Sequence, residues 1–201
     1  SAPQTLTLAS RSESKSRLRA LNGALERQES IVNFSVVATE PERVVNPGQR
    51  RLAAFASTAW ISNSGWAGAA DVSTALTREV LNSVSIVTSS TINMVGGQAR
   101  IPVVVRNGLP SAVTVLVHGI PSNARLVVER DVSLQIQAES QSRAYIPVSA
   151  RVGSGRVDLE VSLTDLAGNR VGSVTLLPVN VRADWEGWGL LGLSIIFVSL
   201  V

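Results

Sequence analysis

The spacing of apolar residues changes once along this chain, near residue 84. Before that point Leu18, Leu21 and Leu25 recur at intervals of three and four residues, which is typical of one face of an α-helix. After it, apolar and polar residues alternate as they do along half-buried β-strands, most regularly over 157–163. The sequence therefore predicts a flexible leader over 1–13, a helical segment over 14–83 and a β domain over 84–183.

Three short helices are predicted within the helical segment. The first covers 14–29, the second has Pro47 in its first turn, and the third covers 71–84 with Asp71 as its cap. Their apolar stripes are thin, so they make a poor independent core. We expect the segment to pack on the β domain or on an upstream domain.

The β domain is predicted from seven or eight short alternating runs separated by turn residues such as Asn107-Gly108 and 165–169. Runs of this length and number, with no helical period among them, indicate an antiparallel immunoglobulin-like β-sandwich. Because proline cannot donate to a strand ladder, Pro102 and Pro147 favour edge strands or bulges at their positions.

The chain ends in a pattern typical of entry into a membrane. Two tryptophans and two carboxylates precede an apolar run over 189–201, and no charged residue follows Glu186. We interpret 184–201 as a juxtamembrane motif and the start of a transmembrane helix, since a spanning helix needs about 20 apolar residues. The alternatives are a buried C-terminal helix or an amphipathic foot. The predicted anchor and partner interface consists of Trp185, Trp188, Gly189, Leu190, Gly192, Leu193, Ile196 and Phe197.

Candidate chemistry is sparse. The chain has no cysteine and a single histidine, His118, so it offers no thiol nucleophile and no His/Cys metal set. Asp158 and Glu160 share one strand face and could form a carboxylate pair, but a solvated sheet face is the simpler interpretation. Asp165 and Asn169 could hold calcium, although 165–169 is first a good hairpin turn. We therefore predict no catalytic residue, no cofactor and no metal, and a protein that is not an enzyme.

Two features suit binding better. Arg43, Arg50 and Arg51 flank a Pro-Gly turn, and Trp60 and Trp66 bracket a Ser/Gly loop, so these five residues are candidates for contact with a partner protein, an anionic head group or a polymer. The alternative is scattered surface arginines with tryptophans in a small helical core. A net charge of +3 without a dense basic cluster does not favour nucleic acid.

Three stretches carry a family resemblance: 101–110, 154–168 and 179–189, the last with the juxtamembrane Trp-Gly signature. Together with 52–60 they resemble an actinobacterial family of secreted, single-pass membrane proteins of unknown function (DUF6049-like), whose genes lie beside that of the lipid II flippase. The resemblance implies an accessory protein of cell-wall precursor export or polar growth. The resemblance also implies a location in the bacterial cell membrane, with the bulk of the chain on the extracytoplasmic side. The implied partners are the lipid bilayer and a multi-span membrane protein, for which the lipid II flippase is the first candidate. The alternative is a domain that binds cell-wall glycan and serves an upstream enzyme.

Overall fold

The computed structural model describes residues 14–60, 63–87, 91–151 and 153–182. A helical segment comes first: α1 (Lys15–Phe34), α2 (Pro41–Ala56) and α3 (Trp66–Leu81), with 3-10 turns at Ser35–Val37 and Thr58–Trp60. None of these helices is long and apolar enough to cross a membrane. The predicted anchor, 184–201, and the leader, 1–13, lie outside the described residues.

Nine strands follow within the described part of the chain. They are β1 (Val84–Val87), β2 (Ile92–Val95), β3 (Gln98–Asn107), β4 (Val113–Pro121), β5 (Leu126–Val128), β6 (Val132–Ile136), β7 (Ser140–Ala150), β8 (Gly155–Thr164) and β9 (Arg170–Arg182). They form a four-stranded sheet in the order β1-β3-β7-β5 and a five-stranded sheet in the order β2-β9-β8-β4-β6. The prediction of a mainly β protein with a small helical segment first is confirmed.

One hydrophobic core joins the two sheets. The inner face predicted for 157–163 is confirmed, because Val157, Leu159, Val161 and Leu163 have no exposed surface. On the outer face Asp158 is exposed, but Ser162 is buried, so the predicted wet face is wrong at that position. Ile101, Val103 and Val105 of β3 alternate in the same way from the other sheet. Both sheets thus bury one face and leave the other in water.

The pairing departs from the prediction at β2. This short strand, which the sequence analysis did not anticipate, runs parallel to β9, with Ile92 opposite Val179 and Val95 opposite Arg182. All other pairs are antiparallel. β2 has only four residues, too few for a clear alternation of apolar and polar positions in the sequence. Its Met94 is buried in the shared core.

The edge-strand prediction for the two prolines is wrong. Pro102 and Pro147 lie on β3 and β7, the two inner strands of the four-stranded sheet. Pro102 avoids a lost hydrogen bond because the outer strand β1 is short, whereas Pro147 can only accept from its neighbour. The β1 pairing covers only 104–107 of β3, and the β5 pairing stops at Val148. Beyond that pairing the carbonyl of Pro147 accepts from the Glu129 N–H, a contact that needs no proline N–H.

The predicted helix limits also need correction. Ser14 caps α1 through its side chain, but α1 runs on to Phe34. α2 begins at Pro41 and continues through Pro47. Pro47 removes one helical hydrogen bond, yet the buried Val44 and Phe55 on either side hold the helix against its neighbours. α3 begins at Trp66, so Asp71 lies inside the helix rather than at its cap.

The helical segment is attached to one end of the β domain. Ile31, Phe34 and Val44 belong to the main core, and Ala38 bridges to Val113 at the start of β4. The Ser111 hydroxyl accepts from the Glu40 N–H at 3.0 Å. Away from this contact the described helices share a small cluster of buried hydrophobic residues, consisting of Ala24, Phe55 and Ala70. The buried Arg17 of α1 also donates to the Phe55 and Ser57 carbonyls.

The opposite end of the β domain is where the described chain stops. β9 reaches Arg182 there, beside the turns 96–97, 122–125 and 151–154. We call this the exit end. The strands are about 10 residues long and rise about 3.3 Å per residue, so the exit end lies about 30 Å from the helical segment.

Candidate functional site

A cavity in the described part of the chain lies where the helical segment meets the β8–β9 hairpin. Its volume is about 730 Å³, and we call it the junction cavity. Helical residues line one wall and hairpin residues the other; the main ones are Asn33, Phe34, Val37, Leu81, Asn82, Asp165, Asn169, Arg170 and Val171. Its lining combines apolar side chains, the amides of Asn33, Asn82 and Asn169, and the charged Asp165 and Arg170.

A bulge in β9 shapes this cavity. Val161 pairs with Thr175 but Leu163 pairs with Val171, so β9 has extra residues at this point. Gly172 sits in the bulge with a φ of +69°, and a Cβ there would lie 2.5 Å from the carbonyl oxygen of Val84. Only glycine allows this close approach of β9 to β1.

Asp165 organises the hairpin at the cavity wall. Its carboxylate accepts from the N–H groups of Ala167 and Asn169 and from the Asn169 side chain, each at 2.8 Å. Burial raises the pKa of Asp165, but these hydrogen bonds together outweigh it, and the pKa is lowered from its ordinary value. The hairpin prediction for 165–169 is confirmed. The described ranges contain no group of three or more His, Cys, Asp or Glu residues that could hold a metal ion.

The five arginines and tryptophans predicted as a contact surface are not brought together. Arg43 pairs with Glu40 and reaches the Pro110 carbonyl, at the β-domain end of α2. Trp60 lies past the other end of α2 and donates to the Ala54 carbonyl at 3.0 Å. About 13 helical residues, or about 20 Å, lie between. Trp66 packs on the small helical cluster.

Arg50 and Arg51 are the two predicted contact residues that lie between those extremes. Arg50 is exposed and Arg51 is partly buried. The five residues are spread along α2 and beyond it, and a contact role for any of them stays a prediction.

The other candidate side chains have ordinary surroundings. His118 Nδ1 lies 2.6 Å from Asp131 Oδ1, and both side chains are more than two-fifths exposed. Asp158 and Glu160 do share the outer face of β8, where Asp158 is 3.5 Å from Arg156 Nε. Neither pair lies in the junction cavity.

The sequence analysis missed a basic surface on the four-stranded sheet. Arg100 and Arg106 of β3 alternate with buried residues, so they share the outer face with Arg143 and Tyr145 of β7. Tyr145 is opposite Pro102 and Arg143 is opposite Val104. We call these four residues the arginine face. Strand alternation alone indicates that each of these four residues lies on the outer face of its strand, but only the β3–β7 register makes the four residues neighbours.

Two shallow grooves of about 260 and 310 Å³ adjoin the arginine face. Both are lined by Arg100, Arg130 and Pro147, and the first also by Tyr145. Among the described residues no carboxylate forms an ion pair with Arg100, Arg106 or Arg143. The grooves are also lined by Asp131 and Glu129, so charges of both signs lie beside the arginine face.

Comparison with solved structures gives distant neighbours. The alpha-2-macroglobulin of E. coli in its native conformation is 19% identical with a TM-score of 0.39, and the match covers 50% of this chain and 7% of that one. The E. coli chaperone DraB is 11% identical with a TM-score of 0.37, covering 50% and 56%. Salmonella alpha-2-macroglobulin reacted with methylamine is 15% identical with a TM-score of 0.36, covering 50% and 7%.

The comparison with curated proteins found no match. A family model does match, and it does so over residues 1–201. That match agrees with the resemblance carried by the juxtamembrane and strand motifs. This chain belongs to DUF6049, a family of unknown function.

Proposed function

We propose that this protein is a non-enzymatic, membrane-anchored interaction module on the extracytoplasmic side of a bacterial cell membrane. The observation that carries the proposal is the way the chain leaves the β domain. β9 extends to Arg182, and Trp185, Trp188 and the uncharged run to Val201 follow almost at once. With so short a connection, an immunoglobulin-like sandwich stands close to the bilayer that the run enters.

The arrangement of the two ends supports this proposal. The exit end faces the membrane, and the helical segment with the junction cavity points away from it, about 30 Å further out. The same molecule thus offers a partner two separate regions. One is the anchor, where Gly189 and Gly192 give a small-residue face for another helix. The other is the distal helical segment.

The proposed partner is a multi-span membrane protein of cell-wall synthesis. Among such proteins we take the lipid II flippase as the first candidate, as the family resemblance implies. Contact inside the bilayer through Gly189 and Gly192 would leave the β domain beside the outer surface of the partner, where an accessory protein of precursor export would work.

An affinity pull-down from gently solubilised membranes tests the proposal, with three forms of the tagged full chain. The natural chain should bring down the flippase, read by mass spectrometry. A chain ending at Arg182 should no longer remain with membranes that are washed at high salt, which screens purely charge-dependent binding. A Gly189→Leu/Gly192→Leu variant should stay in the membrane and lose the partner, because bulky side chains keep helices apart.

Retained membrane association of the shortened chain after the high-salt wash would contradict the anchor. Equal recovery of the flippase by the Gly189→Leu/Gly192→Leu variant would contradict the helix contact. A specific partner from another process would contradict the role in precursor export while leaving the anchor in place.

A second candidate is binding of cell-wall glycan for an upstream enzyme, and the arginine face favours it. An exposed tyrosine beside arginines suits stacking on sugar rings and contact with acidic groups. Titration with peptidoglycan or arabinogalactan fragments should show saturable binding that Tyr145→Ala weakens at least tenfold. The matched control is Leu166→Ala, an exposed residue on the β8–β9 hairpin. Flat titrations would count against this candidate.

A further inference from the structure

We propose that the exit end of the β domain binds anionic phospholipid head groups through Arg125, Arg151, Arg156 and Arg182. This inference rests on the proposed function, because it takes the anchor to hold this end against a bilayer. It adds a charge-dependent contact that orients the β domain on the membrane surface.

Backbone contacts bring the four arginines to one end of the molecule. The Arg151 N–H donates to the Arg125 carbonyl at 2.9 Å, which joins the turn after β7 to the turn before β5. The Asn123 side chain donates to the Arg156 carbonyl at 3.5 Å. The Gly96 N–H donates to the Arg182 carbonyl at 3.0 Å. All four side chains are exposed.

Arg125 and Arg151 form a cross-strand pair of like charges. Leu126 is opposite Ala150 in the β5–β7 register, so Arg125 and Arg151 are the next pair outward. Like charges directly opposite each other destabilise a sheet unless an anion lies between or beside them. Within the described ranges no carboxylate forms an ion pair with either side chain; the pair at this end joins Arg156 to Asp158.

Gly155 leaves room for one of these side chains. A Cβ at Gly155 would lie 3.1 Å from Nε of Arg125, so the Arg125 side chain lies over the start of β8. The guanidinium is thereby held at the open end of the sandwich, near Arg156. It is placed where a head group at the bilayer surface would meet it.

Lipid is the occupant that the chain itself indicates. The uncharged run 189–201 begins seven residues after Arg182, and phosphates of the lipids around such a run lie at the level of the exit end. Asp184 and Glu186 also follow Arg182, so the attraction comes from the local arginine cluster rather than from a large net charge. Anionic head groups attract such basic residues within a Debye length.

The absence of cysteine allows a direct test on the full chain. Ala124→Cys in the exit end and Ala167→Cys in the distal hairpin, both exposed, take a fluorescent donor in separate samples. Each protein is reconstituted into vesicles that carry an acceptor lipid. The vesicles are phosphatidylcholine alone or with about 30 mol% phosphatidylglycerol.

We expect energy transfer from position 124 to exceed that from 167, and to rise when phosphatidylglycerol is added. Arg125→Gln/Arg151→Gln/Arg182→Gln should abolish the rise, and the corresponding lysine variant should keep it because the attraction needs only the charge. The matched control, Lys15→Gln/Arg19→Gln/Arg78→Gln, removes the same charge from exposed positions of the helical segment and should keep the rise.

The outcomes separate this inference from the anchor. Incorporation without a phosphatidylglycerol-dependent rise overturns the inference alone. A rise that survives the glutamine variant at the exit end, or that the control variant loses equally, also overturns it. Failure of the full chain to incorporate into either vesicle overturns the proposed anchor and this inference with it.

Discussion

The β domain and the helical segment are held together to very different degrees. Nearly every strand of the β domain contributes a side chain with almost no exposed surface to one shared core. The outer half of the helical segment rests on three buried hydrophobic residues, two of them alanines, and on the buried Arg17, which donates to the Phe55 and Ser57 carbonyls. In the strands, apolar and polar residues alternate, and the apolar residues are buried completely between the two sheets. The three short helices have narrow apolar faces, and most of each face stays in contact with water. Resistance to unfolding should follow this difference.

The largest effect is expected from Leu159→Ala at the centre of β8. Leu159 has no exposed surface and lies within the shared core, so truncation leaves a cavity that rigid strands cannot fill. The free energy of unfolding, measured by urea titration of the protein, should fall by about 3 to 4 kcal/mol. A fall of less than about 1 kcal/mol would contradict the description of this core as tightly packed.

A smaller and local effect is expected from Phe55→Ala in α2. Phe55 is the one large side chain fully buried in the helical cluster, but the helices around it can close on the space. Amide protons of α2 and α3 should lose protection by about 1 to 2 kcal/mol in hydrogen exchange, while those of β3, β7 and β8 keep theirs. Equal loss of protection in the strands would show that the two regions unfold as one unit.

The smallest effect is expected from Asp165→Asn at the boundary of the two regions. The lowered pKa of Asp165 means that its charge stabilises the folded state above the ordinary aspartate pKa, and that this contribution is lost as pH falls through the folded-state pKa. The variant should be less stable than the natural chain by about 1 kcal/mol at pH 7. The difference should shrink on acidification; a difference independent of pH would contradict the role given to the carboxylate.

Particular residues show how far the sequence could be read. The hairpin at 165–169 and the buried inner face of 157–163 are local features, and both predictions were correct because neighbouring residues decide them. Pro47 inside α2 and Pro102 on an inner strand contradict local rules. In both cases packing or the absence of a neighbouring strand removes the usual cost.

The candidate surfaces follow the same division. The predicted set on α2 consists of residues near one another in sequence, and the folded helix separates them along its length. Arg100, Arg106, Arg143 and Tyr145 are far apart in sequence, and the β3–β7 register makes them one surface. Arg125 and Arg151 likewise meet only because the two turns share a backbone hydrogen bond.

By itself the sequence determined the order of a helical segment and a mainly β domain, the buried face of the clearest strand, and the family to which the chain belongs. Those features depend on local periodicity and motif, which need no partner in space. Only the tertiary structure decided the parallel pairing of β2 with β9, the seat of the junction cavity, and which arginines are neighbours. These depend on contacts between residues tens of positions apart, where strand register and core packing outweigh local preference.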